Sequence, residues 1–353
     1  MTRTNVIRAL AAVAVVAAIA VPASSAFGSG TLNGAGSTLV QPFVQTVFSP
    51  DFKSSSGNQV NYSGVGSSAG IAAITGKTVD FGASDAPLTS SQQSACGCVE
   101  IPWALSATGP AFNIKGVAHL NLSGKVLAGI YLGTITSWTD PAIKAINKGV
   151  ALPNEKIVPV YRSDGSGDTH AFTNFLSHSD SDWASKVGLG TAVQWPTGTS
   201  AKGNSGVAGV ISATEGSIGY VSTFYVRDNK LNEASVENNA GKFVDPYIQD
   251  ISAAAALVTH VSPNAPISIV NPAWTKPKKG AKLTQTEKLQ QIAYPISTYT
   301  YVIVPSQPKQ SDLLKQFLTF AITPAEQKKG AQLVFAPLPS QTVKADTTAI
   351  NGL

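Results

Sequence analysis

Apolar and polar positions alternate along the chain in a way that predicts an α/β protein. Short runs rich in β-branched and aromatic residues predict strands at residues 59–62, 79–83, 109–114, 157–161, 217–221 and 299–304. The stretches between them predict helices at residues 39–48, 68–75, 125–132, 169–177, 207–214 and 312–322. Strands that alternate with helices in this way are typical of open sheets with helices on their faces.

The first 26 residues have the pattern of an export signal. Arg3 and Arg8 precede an apolar run at residues 9–21, and Ser24 and Ala26 supply small side chains at plausible cleavage positions. This apolar run is too short to cross a bilayer, which requires about 20 residues, and no later run is longer. We therefore expect residues 1–26 to be a signal peptide, and the mature protein to be exported to a periplasm or cell surface.

Composition narrows the class of protein further. The 353 residues include 13% charged and 43% hydrophobic side chains, which excludes a highly charged disordered chain. The net charge of +5 falls to +3 once Arg3 and Arg8 leave with the leader. So weak a positive charge does not suggest a nucleic-acid partner, and the lysine-rich residues 276–282 are typical of a solvated loop.

The cysteines and histidines give no metal or cofactor site. Cys96 and Cys98 are the only cysteines, and an oxidising compartment would favour a disulfide between them over an open C-x-C pair. The four histidines are His119, His170, His178 and His260. Their spacing to each other and to the cysteines is not that of metal ligands, so we predict neither a metal nor a cofactor.

Three short segments place glycines and a hydroxyl side chain just before a helical run. They are residues 34–39 (GAGSTL), 64–68 (GVGSS) and 164–168 (DGSGD). A helix N-terminus has unpaired N–H groups and partial positive charge, and glycine lets an anion approach the main chain. One such segment is more often a simple N-cap, but three in one chain favour a shared oxyanion site.

Two segments of the sequence partly match enzyme motifs, but neither match is complete. Residues 70–78 (GIAAITGKT) have five residues between the glycines where a nucleotide phosphate loop has four, so we interpret Gly76 and Lys77 as a helix-ending turn. Ser166, Asp168 and His170 lie close in sequence, but from a helix start they project in different directions. No base is placed to activate the serine hydroxyl, so a hydrolase triad is not predicted.

These segments, taken with others, carry a resemblance to a known family. The matching segments are residues 34–39, 60–68, 79–87 (VDFGASDAP), 131–133, 138, 162–167 (RSDGSG), 217–221, 294–296 and 336–339. In this order they cover nearly the whole mature chain, which therefore resembles the PstS family, the phosphate-binding proteins of phosphate ABC transporters.

The resemblance implies a fold and a function. The fold would be the two-lobed type II periplasmic-binding-protein fold with the ligand cleft between the lobes. Lobe one would hold residues 27–108 and 297–353, lobe two residues 109–296, and binding would close the hinge. The protein would be a monomeric receptor and not an enzyme, and would deliver inorganic phosphate to the membrane permease of an ABC transporter.

Carried over residue by residue, the resemblance also implies the phosphate contacts. Hydroxyl or main-chain N–H groups would come from Ser37, Thr38, Leu39, Ser67, Ser166 and Gly167. Arg162 would place its guanidinium on the phosphate oxygens, with Asp164 as its supporting partner. Asp85 would select the ligand, because a carboxylate only accepts hydrogen bonds and phosphate brings a proton that sulfate lacks.

Asp168 departs from the family pattern, in which many members have threonine after the Ser-Gly pair. We expect Asp168 to contact the ligand directly; the alternative is that it pairs with Arg162 or favours the helix N-terminus. The preferred protonation state of phosphate therefore stays open. Other functions also stay open: a receptor for arsenate, sulfate or molybdate, an extracellular phosphatase, or an adhesion or sensing protein.

Overall fold

The computed structural model describes residues 29–258, 268–277 and 280–353. The predicted signal peptide, His260 and residues 278–279 of the lysine-rich segment lie outside the described residues. None of the helices in the described part combines the length and the apolar content needed to cross a membrane.

Most of the described strands join one long sheet. The strands are β1 (Thr31–Gly36), β2 (Gln59–Gly64), β3 (Phe81–Ser84), β4 (Cys98–Asn113), β5 (Asn121–Leu122), β6 (Val158–Arg162), β7 (Thr199–Ala201), β8 (Ser217–Ser222), β9 (Asn232–Glu233), β10 (Ser235–Glu237), β11 (Phe243–Val244) and β12 (Ser297–Pro305). The long sheet runs in the order β2-β1-β3-β12-β4-β8-β6-β7, with β9 also paired to β4. A small sheet has the order β11-β10-β5.

The helices fill the connections between these strands. They are α1 (Gln41–Phe43), α2 (Ser49–Ser56), α3 (Ser67–Thr75), α4 (Ser90–Cys96), α5 (Gly124–Leu132), α6 (Pro141–Ile146), α7 (Gly167–Ser179), α8 (Ser181–Lys186), α9 (Gly203–Ala213), α10 (Thr223–Asp228), α11 (Ile248–Ala256), α12 (Gln285–Ile292), α13 (Ser311–Ala321), α14 (Pro324–Lys329) and α15 (Ser340–Asn351). A π-helical turn, Val44–Phe48, joins α1 to α2, and a 3-10 turn, Gly330–Leu333, follows α14.

The long strand β4 connects two half-sheets. Its residues 98–107 pair antiparallel with β12, and its residues 108–113 pair antiparallel with β8. We call β2, β1, β3, β12 and the first part of β4, with the loops and helices that directly follow these strands, the first half-sheet. The second part of β4 with β8, β6 and β7, and the loops and helices that follow them, is the second half-sheet. In each half-sheet, parallel strands that alternate with helices end at one edge.

Each half-sheet has its own aromatic packing. In the first, Trp103 and Phe81 pack edge to face, with ring centroids 5.8 Å apart, and Phe317 of α13 packs against both. In the second, Phe172 of α7 stacks on Tyr220 of β8 with centroids 4.6 Å apart. Large buried rings on both sides of β4 therefore fix the helices on their sheets.

The six predicted strands and six predicted helices all coincide with elements of the structure, with shifted ends. The helix predicted at residues 39–48 begins only at Gln41 and continues to Ser56. Residues 34–36, expected in a loop, are instead the end of β1. The prediction that Gly76 ends a helix is confirmed, because Gly76 is the C-cap of α3.

Strand β4 was predicted only over residues 109–114, and the structure shows why its first part was missed. Pro102 lies inside it, although proline removes a main-chain donor and rarely occurs in an inner strand. Thr300 pairs with Ala104 and Tyr301 with Pro102, so Trp103 is an extra residue in β4. This bulge accommodates the proline. Because both faces of β4 are buried, its sequence also lacks the alternation of apolar and polar positions that would reveal a strand.

Candidate functional site

The candidate site lies where the two half-sheets face each other. The carboxyl ends of β1 and β3 supply its first side, and α3 begins there at Ser67. The carboxyl end of β6 supplies the second side, where α7 begins at Gly167 and α9 at Gly203. Three helix N-termini thus meet at one place, which is the geometry that favours an anion.

A tight turn carries Ser37 and Thr38 from β1 towards α1. The hydroxyl of Ser37 accepts the Leu39 N–H at 3.0 Å, so the turn is closed by its own side chain. Two tyrosines hold the turn from outside: Tyr62 donates to the Ser37 carbonyl at 2.8 Å, and Tyr225 donates to the Thr38 carbonyl at 3.0 Å. Because Tyr62 lies on β2 and Tyr225 on α10, both half-sheets position this turn.

Asp85 is a buried carboxylate at the end of β3, with 2% of its surface exposed. It accepts hydrogen bonds from Thr300 at 2.6 Å and from Ser37 at 2.7 Å, while Ser67 lies 3.4 Å away. Burial, and next the charge of Asp168, raise the pKa of Asp85 from 3.8 to about 7 in spite of these donors. The carboxylate is therefore poised to share a proton near neutral pH.

Arg162, at the end of β6, is the buried cation of the site. Its Nε donates to Asp164 at 2.8 Å and one terminal nitrogen donates to the same carboxylate at 2.5 Å. The other terminal nitrogen donates to Asp168 at 3.0 Å. Burial is the largest single influence and would raise the pKa of Asp164, but the hydrogen bonds and charge of Arg162, together with main-chain donors such as the Gly203 N–H, bring the pKa below its usual value. These bonds use three of the five guanidinium N–H groups.

Asp168, in the first turn of α7, is buried and held on both oxygens. One oxygen accepts from Thr108 at 2.7 Å; the other accepts from Arg162 and, at 2.8 Å, from Asn204. The pairing with Arg162 that the sequence offered as an alternative is thus present. Direct contact of Asp168 with a ligand stays a prediction.

Groups from the two half-sheets touch directly in this structure. The Gly167 N–H donates to the Ser67 hydroxyl at 3.1 Å, and the Ser68 N–H donates to the Gly165 carbonyl at 3.1 Å. A Cβ on Gly167 would lie 2.4 Å from the Cβ of Asp85, and one on Gly66 would lie 2.5 Å from an Asp164 oxygen. Glycine at these two positions is what lets the two sides approach so closely.

Ser166, His170 and the two cysteines also have local structural environments that the sequence did not specify. The Ser166 hydroxyl accepts the Thr169 N–H at 3.3 Å and so caps α7, and burial lowers the pKa of His170. Cys96 and Cys98 form a disulfide across Gly97, with Cα atoms 5.2 Å apart and at a distance from the site described above. Within the described residues no cluster of three or more acidic, histidine or cysteine side chains could hold a metal ion.

Three residues of the site were not predicted. Asn204 lies in a fourth glycine-rich helix start, Gly203 to Gly206, and the signal used for the other three could have found it. Thr108 and Thr300 are two of several hydroxyl residues inside largely apolar strands. Nothing in their local sequence distinguishes them from other strand threonines, because their partners are 60 and 215 residues away.

The fold and the facing helix starts define a solute-binding protein of the periplasmic-binding-protein type. A family profile described as a PBP superfamily domain matches residues 21–325. The phosphate-binding protein PstS of Xylella fastidiosa is 37% identical over 327 residues, which cover 92% of this chain and 85% of that protein. The chain therefore belongs to the PstS family.

Solved structures agree with this fold. A phosphate-binding protein from Stenotrophomonas maltophilia has a TM-score of 0.63 at 19% identity, over 90% of this chain and 93% of that one. An ABC-type phosphate transport receptor from Vibrio cholerae has a TM-score of 0.56 at 18% identity, over 87% of this chain and all of that one. The expected type II periplasmic-binding-protein fold is thus confirmed.

The raised pKa of Asp85 has a consequence for stability. Between pH 3.8 and about 7 the ligand-free native state binds a proton that the unfolded state has released, so unfolding becomes easier as the pH rises. We expect Asp85→Asn to stabilise the ligand-free protein above about pH 7, by up to about 4 kcal/mol, and to lose this advantage below about pH 4. Urea unfolding across this pH range measures the effect.

Asp228→Asn is the matched control, because Asp228 is an exposed aspartate at the end of α10. It should leave the pH profile of wild type unchanged. A parallel profile for Asp85→Asn and wild type would show that Asp85 titrates normally in the folded protein.

Proposed function

We propose that this protein captures inorganic phosphate between its two half-sheets and delivers it to the permease of a phosphate ABC transporter. The observation that carries the proposal is the buried Asp85 carboxylate facing the helix starts and near Arg162. Relatives and structural neighbours are named for phosphate, which favours it over arsenate, sulfate and molybdate. The protein would act as an exported monomer and not as an enzyme.

Asp85 supports phosphate in particular. Its two oxygens offer about four acceptor sites; Ser37 and Thr300 use two of them, and the longer hydrogen bond from Ser67 at 3.4 Å uses a third. A phosphate hydroxyl can donate to one that remains. Because the pKa of Asp85 is about 7, one proton lies between this carboxylate and the phosphate oxygen near neutral pH, whichever of the two carries it.

The predicted donors already converge on oxygen atoms. The Gly167 N–H points to the Ser67 hydroxyl and the Leu39 N–H to the Ser37 hydroxyl, so phosphate oxygens would replace these acceptors. Arg162 would add the two N–H groups that its carboxylate partners do not use. In the proposed site, Thr38 and Ser166 add hydroxyl groups, and Asp168 and Asp164 hold Arg162 in place.

The pairing of β4 supports the proposed lobes. Its partner changes from β12 to β8 at Thr108, which agrees with a first lobe of residues 27–108 and 297–353 and a second of residues 109–296. The second crossing lies beside the first, where the Thr108 N–H donates to the Ile296 carbonyl at 3.1 Å. Two adjacent crossings form a natural hinge for closure around the ligand.

The first experiment compares two oxyanions by calorimetric titration of the mature protein, stripped of bound anion, at about pH 8.5. Phosphate should bind one to one, and sulfate several powers of ten more weakly, because sulfate leaves Asp85 facing a bare oxygen. Sulfate binding should improve below about pH 7, where Asp85 itself carries the proton. Equal affinity for the two anions at high pH would refute the role of Asp85.

A second experiment tests Arg162. Arg162→Lys keeps the positive charge but loses the planar fork that reaches Asp164, Asp168 and a ligand together. We expect phosphate affinity to fall at least about tenfold, since each hydrogen bond to a charged group contributes about 1.5–3 kcal/mol. Arg227→Lys is the control, because Arg227 is exposed over the ring of Tyr247. Unchanged affinity in Arg162→Lys would remove Arg162 from the site.

A third experiment tests closure. Gly167→Ala would place a methyl group against Asp85 and hold the two half-sheets apart, while each should fold as before. We expect that phosphate no longer reduces the radius of gyration measured by small-angle scattering. Gly209→Ala, with open space around its Cβ position on α9, should close like wild type. Normal closure of Gly167→Ala would contradict the contact seen here.

A further inference from the structure

Asn204 is a buried amide that contacts both sides of the site. It lies at the start of α9, with no exposed surface. Its side-chain oxygen accepts the N–H of Ser222, the last residue of β8, at 2.7 Å. Because that oxygen is committed to a main-chain donor, the orientation of the amide is determined and its NH₂ group points the other way.

The NH₂ group of Asn204 makes two hydrogen bonds. It donates to an Asp168 oxygen at 2.8 Å and to the Thr38 hydroxyl at 2.9 Å. The Thr38 hydroxyl belongs to the first half-sheet, whereas Asn204 and Asp168 belong to the second. The Asn204 side chain therefore donates to the Asp168 carboxylate of its own half-sheet. It also holds Thr38 of the opposite half-sheet in the closed arrangement.

The contact with Asp168 decides which of its lone pairs are available. The oxygen that receives the Asn204 amide also receives Arg162, so both of its acceptor sites are used. The other oxygen receives Thr108 and keeps one acceptor site. Asn204 and Arg162 together thus leave the shared oxygen of Asp168 no acceptor site for a ligand proton.

From this geometry we infer that Asn204 is a positioning residue for oxyanion binding, which orients Asp168 beside Arg162 and couples it to closure through Thr38. The inference rests on the proposed phosphate function. It assigns no ligand contact to Asn204 itself. If Asn204 had a purely structural role, only the hydrogen bond that its side-chain oxygen accepts from the Ser222 N–H would matter.

Asn204→Asp separates these roles. The new side chain keeps an oxygen that can accept the Ser222 N–H, but it replaces the amide donor with a second carboxylate oxygen beside Asp168. Two adjacent carboxylates can share one proton at lower pH, and this proton then takes the place of the amide N–H. At higher pH the proton leaves and the two charges repel each other.

The test is phosphate binding of the full mature chain at about pH 6 and about pH 8.5, by calorimetry and stopped-flow dissociation. We expect Asn204→Asp to weaken phosphate binding at least about tenfold at the higher pH and clearly less at the lower pH, with faster dissociation. Asn204→Ala should lose affinity by a similar factor at both pH values. Ser205→Ala, at an exposed position on the same helix turn, should match wild type.

Thermal unfolding of each variant at both pH values separates binding from folding. If wild type binds phosphate and both Asn204 variants stay within about twofold of it, the inference about Asn204 is wrong while the proposed function stands. Equal losses for Asn204→Asp at the two pH values would likewise exclude the role of the Asn204 amide as a donor to Asp168. Failure of wild type to bind phosphate would instead refute the proposed function.

Discussion

The site depends on one constraint: a buried arginine must be paired. Arg162 has only 4% of its surface exposed, and an unpaired charge at that depth would be strongly destabilising. Asp164, two residues further on, takes two of its N–H groups and also accepts the Gly203 N–H at 2.9 Å. Asp168 takes a third from the first turn of α7. The ion group therefore fixes the end of β6 against the starts of α7 and α9.

This pairing leaves the site with more acidic than basic groups, which shapes how it can hold an anion. Asp85, Asp164 and Asp168 face a single cation, so the net charge does not attract a negatively charged ligand. In the proposed site, binding would come from short-range donors: helix N–H groups and the hydroxyls of Ser37, Thr38, Ser67 and Ser166. Such donors act only at hydrogen-bond distance, and this explains why closure and the glycines that permit it matter.

The sequence predicted those parts of the site that lie within short segments. Ser67, Ser166 and Gly167 follow glycine-rich patterns beside helix starts, and the structure places them together. Thr108 and Thr300 could not be found in this way, because their roles arise from strand pairing between residues far apart in the chain. Likewise, the first part of β4 was not predicted, because both of its faces are buried and the bulge that accommodates Pro102 depends on the partner strand β12.

The raised pKa of Asp85 connects stability with selectivity. Burying a carboxylate among hydroxyls is unfavourable above about pH 7, and the ligand-free protein bears this energy in every molecule. A ligand that donates a proton to the Asp85 carboxylate would relieve this unfavourable energy. A ligand without a proton would instead place a second negative oxygen beside the carboxylate. In the proposed site, the energy that the free protein loses through Asp85 would serve to distinguish protonated from unprotonated oxyanions. A more stable site with a neutral residue at this position would lose that distinction.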